Sequence, residues 1–209
     1  LRLTDHERFE VSSPEDYLAK MSAEGILLDP EARKSQIKKQ ADALAEAVGG
    51  RIADDPDLLE EITHLVERPT AFRGSFDESH LESLPPEVLI SVMKKYQRYF
   101  VVEGQDGRLM PFFVGVRNGG SENLEIVADG NEQVIRARFN DAEFFVKKDL
   151  QRSLEDFVPD LSTLTFQVEL GSFLDKTQRI EALVEPLGAK IGLDPESLEV
   201  AQRAAKLCK

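Results

Sequence analysis

Four dipeptides punctuate this chain and constrain most strongly what it can fold into: Ser13-Pro14, Asp29-Pro30, Asp55-Pro56 and Asp194-Pro195. In each, a short side chain that can accept from the open N–H groups of a first helical turn stands before a proline. Proline's fixed φ and missing N–H suit the first helical position. Each pair therefore predicts a helix start. After Asp29, Ile37, Ala41, Leu44 and Val48 recur at helical spacing until Gly49-Gly50 ends the run. After Asp55, Leu58, Leu59, Ile62, Leu65 and Val66 form a second stripe that Pro69 closes. A further helix is expected from Pro85-Pro86, carrying Val88, Leu89, Val92 and Met93.

Between these helices lie short β-prone runs: ERFEV, GILL and TAFRGSF. YFVVEGQDGRLMPFFVGV reads as a hairpin with its turn at GQDG. Helix and strand alternation up to about residue 150 implies a mixed α+β or α/β domain, and α+β, a mixed sheet with packed helices, is the fold class expected. From Leu161 onward no strand is expected. Leu170, Leu174, Ile180, Leu183, Leu187 and Ile191 predict one helix face, and a last helix follows Asp194-Pro195. A boundary is placed near 155, giving an α+β domain over 1–155 and a helical segment over 156–209.

Composition narrows the function classes. With 41% hydrophobic and 31% charged residues, a core of respectable size is possible, and no apolar run approaches the roughly 20 residues of a membrane span. Cys208 is the one cysteine, which excludes an internal disulfide and a cysteine-rich zinc site. His6, His64 and His80 are scattered without ligand spacing, so no metal site is expected. The net charge of −13 opposes non-specific nucleic-acid binding, so any RNA contact must come from a local basic patch. Ile90 to Asn118 is such a stretch: Lys94, Lys95, Arg98, Arg108 and Arg117 stand against Glu103 and Asp106. Within it KKYQRYF interleaves Lys94, Lys95, Gln97 and Arg98 with aromatics, which can stack on unpaired bases and are equally ordinary strand residues.

GNEQVIRARFNDAEFFVKKDL, residues 130 to 150, presents the richest constellation. Ile135, Phe139, Ala142, Val146 and Leu150 predict one buried stripe, and Arg136 and Arg138 lie off it. Spacing gives each arginine an acid neighbour, Glu132 for Arg136 and Asp141 for Arg138, so an exposed helix with ordinary ion pairs fits. A second reading also fits. Gly130-Asn131 is expected to precede the helix, leaving N–H groups for an anion, and arginine's planar fork suits phosphate. Asn131, Arg136, Arg138, Lys147 and Lys148 are candidate contacts on that reading. DKTQR adds Lys176 and Arg179, for which a solvated charged face is the alternative. No G-x-S-x-G, P-loop or Cys/His nucleophile set occurs, and no catalytic residue is assigned.

Taken in order, LPPEVLISVMKKYQRYFVV, DGRLMPFFVGVRN, GNEQVIRARFNDAEFFVKKDL, LEDFVPDL, FQVELGSFLDKTQRI and AAKLCK resemble the β subunit of bacterial-type heterotetrameric glycyl-tRNA synthetase. The resemblance is close over about residues 80 to 209 and general before that. It implies a ligase of protein biosynthesis that joins glycine to its tRNA. ATP and Mg would act in the α chain, and no cofactor is held here. The implied partners are the α subunit, glycine tRNA and a β–β or heterotetramer assembly in the cytoplasm, or in an organelle for a plant parent. It further implies that 1–155 is similar to the editing-type domain of the phenylalanyl-tRNA synthetase β chain. Residues 156–209 would be the first helices of an all-α HD-type domain. They contain no histidine, so HD-type metal-dependent hydrolysis is not expected. On this resemblance the sequence is an internal piece of a longer β chain that ends before the anticodon-binding region. Lys94, Lys95, Gln97, Arg98, Asn131, Arg136, Arg138, Lys147, Lys148, Lys176 and Arg179 would serve tRNA or interdomain contact, with Glu132 and Asp141 as structural pairs. Two other roles stay open: editing hydrolysis of mischarged tRNA, and a scaffold for the α chain. Glycine's small size makes editing less needed.

Overall fold

The computed structural model describes residues 10–209. All four capped prolines begin helices: α1 (Pro14–Ala23), α2 (Pro30–Glu46), α3 (Pro56–Leu65) and α9 (Pro195–Leu207). Ser13 Oγ accepts from Asp16 N at 3.1 Å, Asp29 Oδ1 from Glu31 N at 3.0 Å, Asp55 Oδ1 from Leu58 N at 3.1 Å, and Asp194 Oδ1 from Ser197 N at 2.9 Å. Each cap satisfies a donor that the first turn cannot.

The chain divides into two compact units, Leu1–Phe145 and Val146–Lys209. The break falls within a long helix, α6 (Leu124–Asp149), ahead of residue 155, which itself lies in the short helix α7 (Leu154–Phe157).

In the first unit, the described residues form an antiparallel sheet in the order β1–β3–β4–β2, with β1 (Arg51–Ile52), β2 (Pro69–Ser75), β3 (Phe100–Glu103) and β4 (Leu109–Asn118). The architecture is α+β, but every pairing is antiparallel and the sheet is not mixed. The β3–β4 hairpin turns at GQDG, where Gly107 takes φ +77°. One sheet face carries Ala71, Phe100, Val102 and Val114 and packs on Ile37, Ala41 and Ala45 of α2 and Leu58 and Ile62 of α3. The other face carries Phe72 and Phe113, each ring lying over the glycine opposite it, Gly115 and Gly74. There α4 (Ser79–Ser83) and α6 close the layer: Phe139 packs edge-on against Phe76 at 5.0 Å and His80 at 5.4 Å. α5 (Pro86–Ser91) runs into a π-helical turn, Val92–Tyr96, before β3.

The second unit holds α7, a 3-10 turn (Val158–Thr163), β5 (Thr165–Gln167), β6 (Gly171–Ser172), α8 (Phe173–Ile191) and α9. Ser172 and Asp175 form a reciprocal cap at the start of α8, and left-handed Gly192 (φ +71°) ends it. α8 approaches α9 closely at Gly188, where a Cβ would lie 2.8 Å from Leu198.

Several expectations need correction. ERFEV lies outside the described residues except for its last two, which belong to no strand. GILL is a connector, because left-handed Gly25 closes α1 and Asp29 already caps α2. The strand-free reading after Leu161 fails at the β5–β6 ribbon, which is too short to show alternation. The stripe on α6 is buried only at Ile135 and Phe139, and Leu150 is 80% exposed. The α8 face is likewise exposed at Leu183, Leu187 and Ile191. Among the described residues no helix is long and apolar enough to cross a membrane.

Candidate functional site

The KKYQRYF segment sits where α5 passes through the π-turn into β3. Buried Met93 anchors the turn, Tyr99 N reaches back to Met93 O at 3.1 Å, and Arg98 N bonds Lys94 O at 3.1 Å. Arg98 closes the turn at φ +55°, a left-handed cap that glycine ordinarily supplies and that costs another residue about 1–2 kcal/mol. Such strain and π-turns both concentrate at functional sites. Neither was legible, because nothing in Gln97-Arg98 marks a left-handed residue.

The basic side chains here divide into paired and open ones. Lys94 Nζ meets Asp55 Oδ2 at 2.5 Å. Burial pushes the Asp55 carboxyl up, but Lys94 and the Leu58 N–H outweigh it and hold the group below its ordinary value. Arg98 Nε pairs with Glu61 Oε1 at 2.5 Å. Lys95 and Tyr96 are exposed. Gln97 is half-buried, and its side-chain amide has no hydrogen-bond partner among the described residues.

Behind this turn, Tyr99 stacks on Phe113 at 4.3 Å and donates its hydroxyl to Asn131 Oδ1, while Asn131 Nδ2 donates to Val127 O at 2.7 Å. Burial pushes the Tyr99 hydroxyl up to about 12. Asn131 therefore ties α6 to Tyr99 through Oδ1, while its Nδ2 is held by a carbonyl of the same helix. A cleft of about 280 Å³ opens beside it, whose lining includes apolar Ile62, Leu65, Val66 and Phe72 together with polar Gln97, Arg98, Arg117 and Asn131.

The constellation of residues 130 to 150 is rearranged. α6 begins at Leu124, so Gly130 and Asn131 are interior helical residues whose N–H groups are not open to an anion. Glu132 does not pair with Arg136; its Oε1 accepts from Ser75 N at 2.7 Å and Ser75 Oγ at 3.0 Å, closing the end of β2. No ion pair joins Arg138 to Asp141 among the described residues. Both arginines are exposed. Asp77, held low first by Ser79, also feels the charge of Arg136.

In the second unit, Lys147 and Lys148 occupy the last turn of α6, where cations complement the helix dipole. Lys176 Nζ lies 3.9 Å over the Phe166 ring, and Arg179 Nη1 donates to Leu170 O at 2.9 Å. These two are tied to local structure around β5–β6. Among the described residues, no group of three or more His, Cys, Asp or Glu could hold a metal ion.

The family model of the glycyl-tRNA synthetase beta subunit matches residues 1–209. The glycine–tRNA ligase beta subunit of Clostridioides difficile (strain 630) is 45% identical over 208 residues, covering 100% of this chain and 30% of the relative. That of Desulforudis audaxviator (strain MP104C) is 44% identical over 202 residues, covering 97% and 29%. That of Bacillus subtilis (strain 168) is 41% identical over 208 residues, covering 100% and 30%. The chain thus spans about three-tenths of the length of these relatives.

Proposed function

Since the chain belongs to the glycyl-tRNA synthetase beta subunit family, we propose that it is the part of a glycine–tRNA ligase that holds tRNA for ATP-dependent glycylation without carrying the reaction centre. ATP and Mg act in the α chain on this reading. On this reading residues 1–155 correspond to the editing-type domain of the phenylalanyl-tRNA synthetase β chain, and residues 156–209 begin an HD-type domain.

The observation that carries the RNA role is the pair of exposed arginines that flank the buried stripe of α6. Its inner face is committed: Ile135 and Phe139 are buried, Asn131 binds Tyr99, and Glu132 binds Ser75. Arg136 and Arg138 are left exposed on the same helix, away from the acids that spacing assigned to them. Exposed guanidinium groups on a rigid, braced helix can meet phosphate oxygens at little cost in ordering. Lys95, on the strained turn, adds a third exposed cation.

Assembly with the α chain is a second reading, favoured by the line of exposed apolar residues Leu183, Leu187 and Ile191 on α8.

The test is a salt-titrated affinity of the full α/β assembly for glycine tRNA. Arg136→Ala and Arg138→Ala should each weaken binding, and the slope against log salt should fall by about one for each phosphate left without its arginine. Unchanged affinity and slope in both variants, with the fold intact, would reject the RNA role of this helix.

A further inference from the structure

We infer that the cleft between the π-turn and the edge of α6 receives one unpaired nucleotide of an RNA, with its base against the apolar lining and its phosphate at Arg117. The inference rests on the tRNA reading and adds a site to it. About 280 Å³ lies at the lower end of ligand-binding clefts, enough for a single base and too little for an extended ligand. Ile62, Val66 and Phe72 give that base an apolar and aromatic surface, with half-exposed Leu65 at the rim.

The polar lining has the two functions that a nucleotide needs. The side-chain amide of Gln97 offers one acceptor and a donor pair, the complement of a base edge, and no described group satisfies it. Arg117 spends Nη1 on Glu122 O at 2.9 Å, and its remaining N–H groups suit a phosphate oxygen. Arg98, already neutralised by Glu61, also lines the cleft. The π-turn and the left-handed Arg98 thus fix the backbone on both sides of Gln97. Asn131 is held in place by Tyr99 and Val127 at the two ends of its amide. A duplex cannot enter a cleft of this size, so the ligand is a looped-out or single-stranded nucleotide.

Two measurements test this. In the full α/β assembly, Gln97→Ala should weaken glycine tRNA binding about tenfold, the worth of one base-edge interaction, with the salt slope unchanged. Arg117→Ala should weaken binding and lower the slope by about one. If Arg136→Ala or Arg138→Ala weakens tRNA binding while Gln97→Ala and Arg117→Ala do not, the pocket is refuted and the tRNA reading stands. If none of the four has an effect, both fall. Independently, the chain contains no tryptophan, so Leu65→Trp places a single reporter at the rim. Titration of the 209-residue chain with a mixed-sequence single-stranded RNA oligonucleotide at low salt should quench it, and the same RNA annealed as a duplex should not. Equal quenching by both forms, or none by either, overturns the inference.

Discussion

Two glycine-to-alanine substitutions should move stability in opposite directions. Gly74 pairs with Phe113 across β2 and β4, and a Cβ built on it would lie 2.3 Å from Phe113 Cζ and 2.7 and 2.9 Å from the two Cε atoms. Those separations are far below van der Waals contact, so the ring must move. Phe113 is fully buried and stacked on Tyr99 at 4.3 Å with an interplanar angle of 18°, so it has nowhere to go without displacing the Tyr99–Asn131 brace. Overpacking of this kind costs about 1–3 kcal/mol. Alanine's better strand backbone returns about 0.5–1 kcal/mol, leaving a net loss centred on about 1 kcal/mol. Gly130 is the converse case: it sits inside α6, and a Cβ there meets nothing within 4 Å. Gly130→Ala should therefore stabilise the helix by about 0.5–1 kcal/mol. Scanning calorimetry of the chain should show the first unit's transition about 3–6 °C lower for Gly74→Ala and slightly higher for Gly130→Ala. An unchanged or raised midpoint for Gly74→Ala would refute the packing described for this sheet face. A lowered midpoint for Gly130→Ala would show that Gly130 is needed for something other than helix geometry.

Three further outcomes follow from specific interactions. Tyr99 favours its neutral form in the folded chain, with a value of about 12 against an ordinary value of 10.0. Its contribution to stability is complete below pH 10 and is lost as pH rises towards 12; an absorbance titration should show a late phenol that Tyr99→Phe removes. In the second unit, Ser153 holds Asp156 low, Ser172 holds Asp175 low, and the Ser197 N–H and hydroxyl hold Asp194 low. Stability from these caps is present above the ordinary carboxylate range and lost as pH falls through the lowered values, so helical circular dichroism should decline in acid, and Ser172→Ala should remove part of that decline. Gln40 covers the outer edge of β2, accepting from Ala71 N at 2.7 Å and donating to Pro69 O at 3.3 Å. Gln40→Ala strands the buried Ala71 N–H and should cost about 1–3 kcal/mol in urea unfolding, while a wild-type midpoint would show that the edge needs no cover.

The legible parts of the fold were those written in local chemistry. Ser13, Asp29, Asp55 and Asp194 each accept from the first turn of the helix they introduce, because a cap and its proline act within a few residues. The hairpin was legible for the same reason, with GQDG between two β-rich runs. The start of α6 was not, because Asn123 is followed by Leu124 without a proline, and Gly130 mimics a boundary that the chain does not use. Ion pairs were the least legible feature. Spacing places Glu132 near Arg136, but the Ser75 N–H at the end of a distant strand is the partner it takes. The cleft around Gln97 and Arg117 joins a turn, a strand end and a helix far apart in sequence, and no local pattern announces such a meeting.

The central claim is that this chain holds tRNA and leaves the chemistry to its partner. It is tested most directly by comparing two activities of the full α/β assembly carrying Arg136→Ala and Arg138→Ala together. The account predicts a raised KM for tRNA in glycylation with glycine-dependent ATP–pyrophosphate exchange unchanged. Loss of exchange with an unaltered KM for tRNA would contradict it.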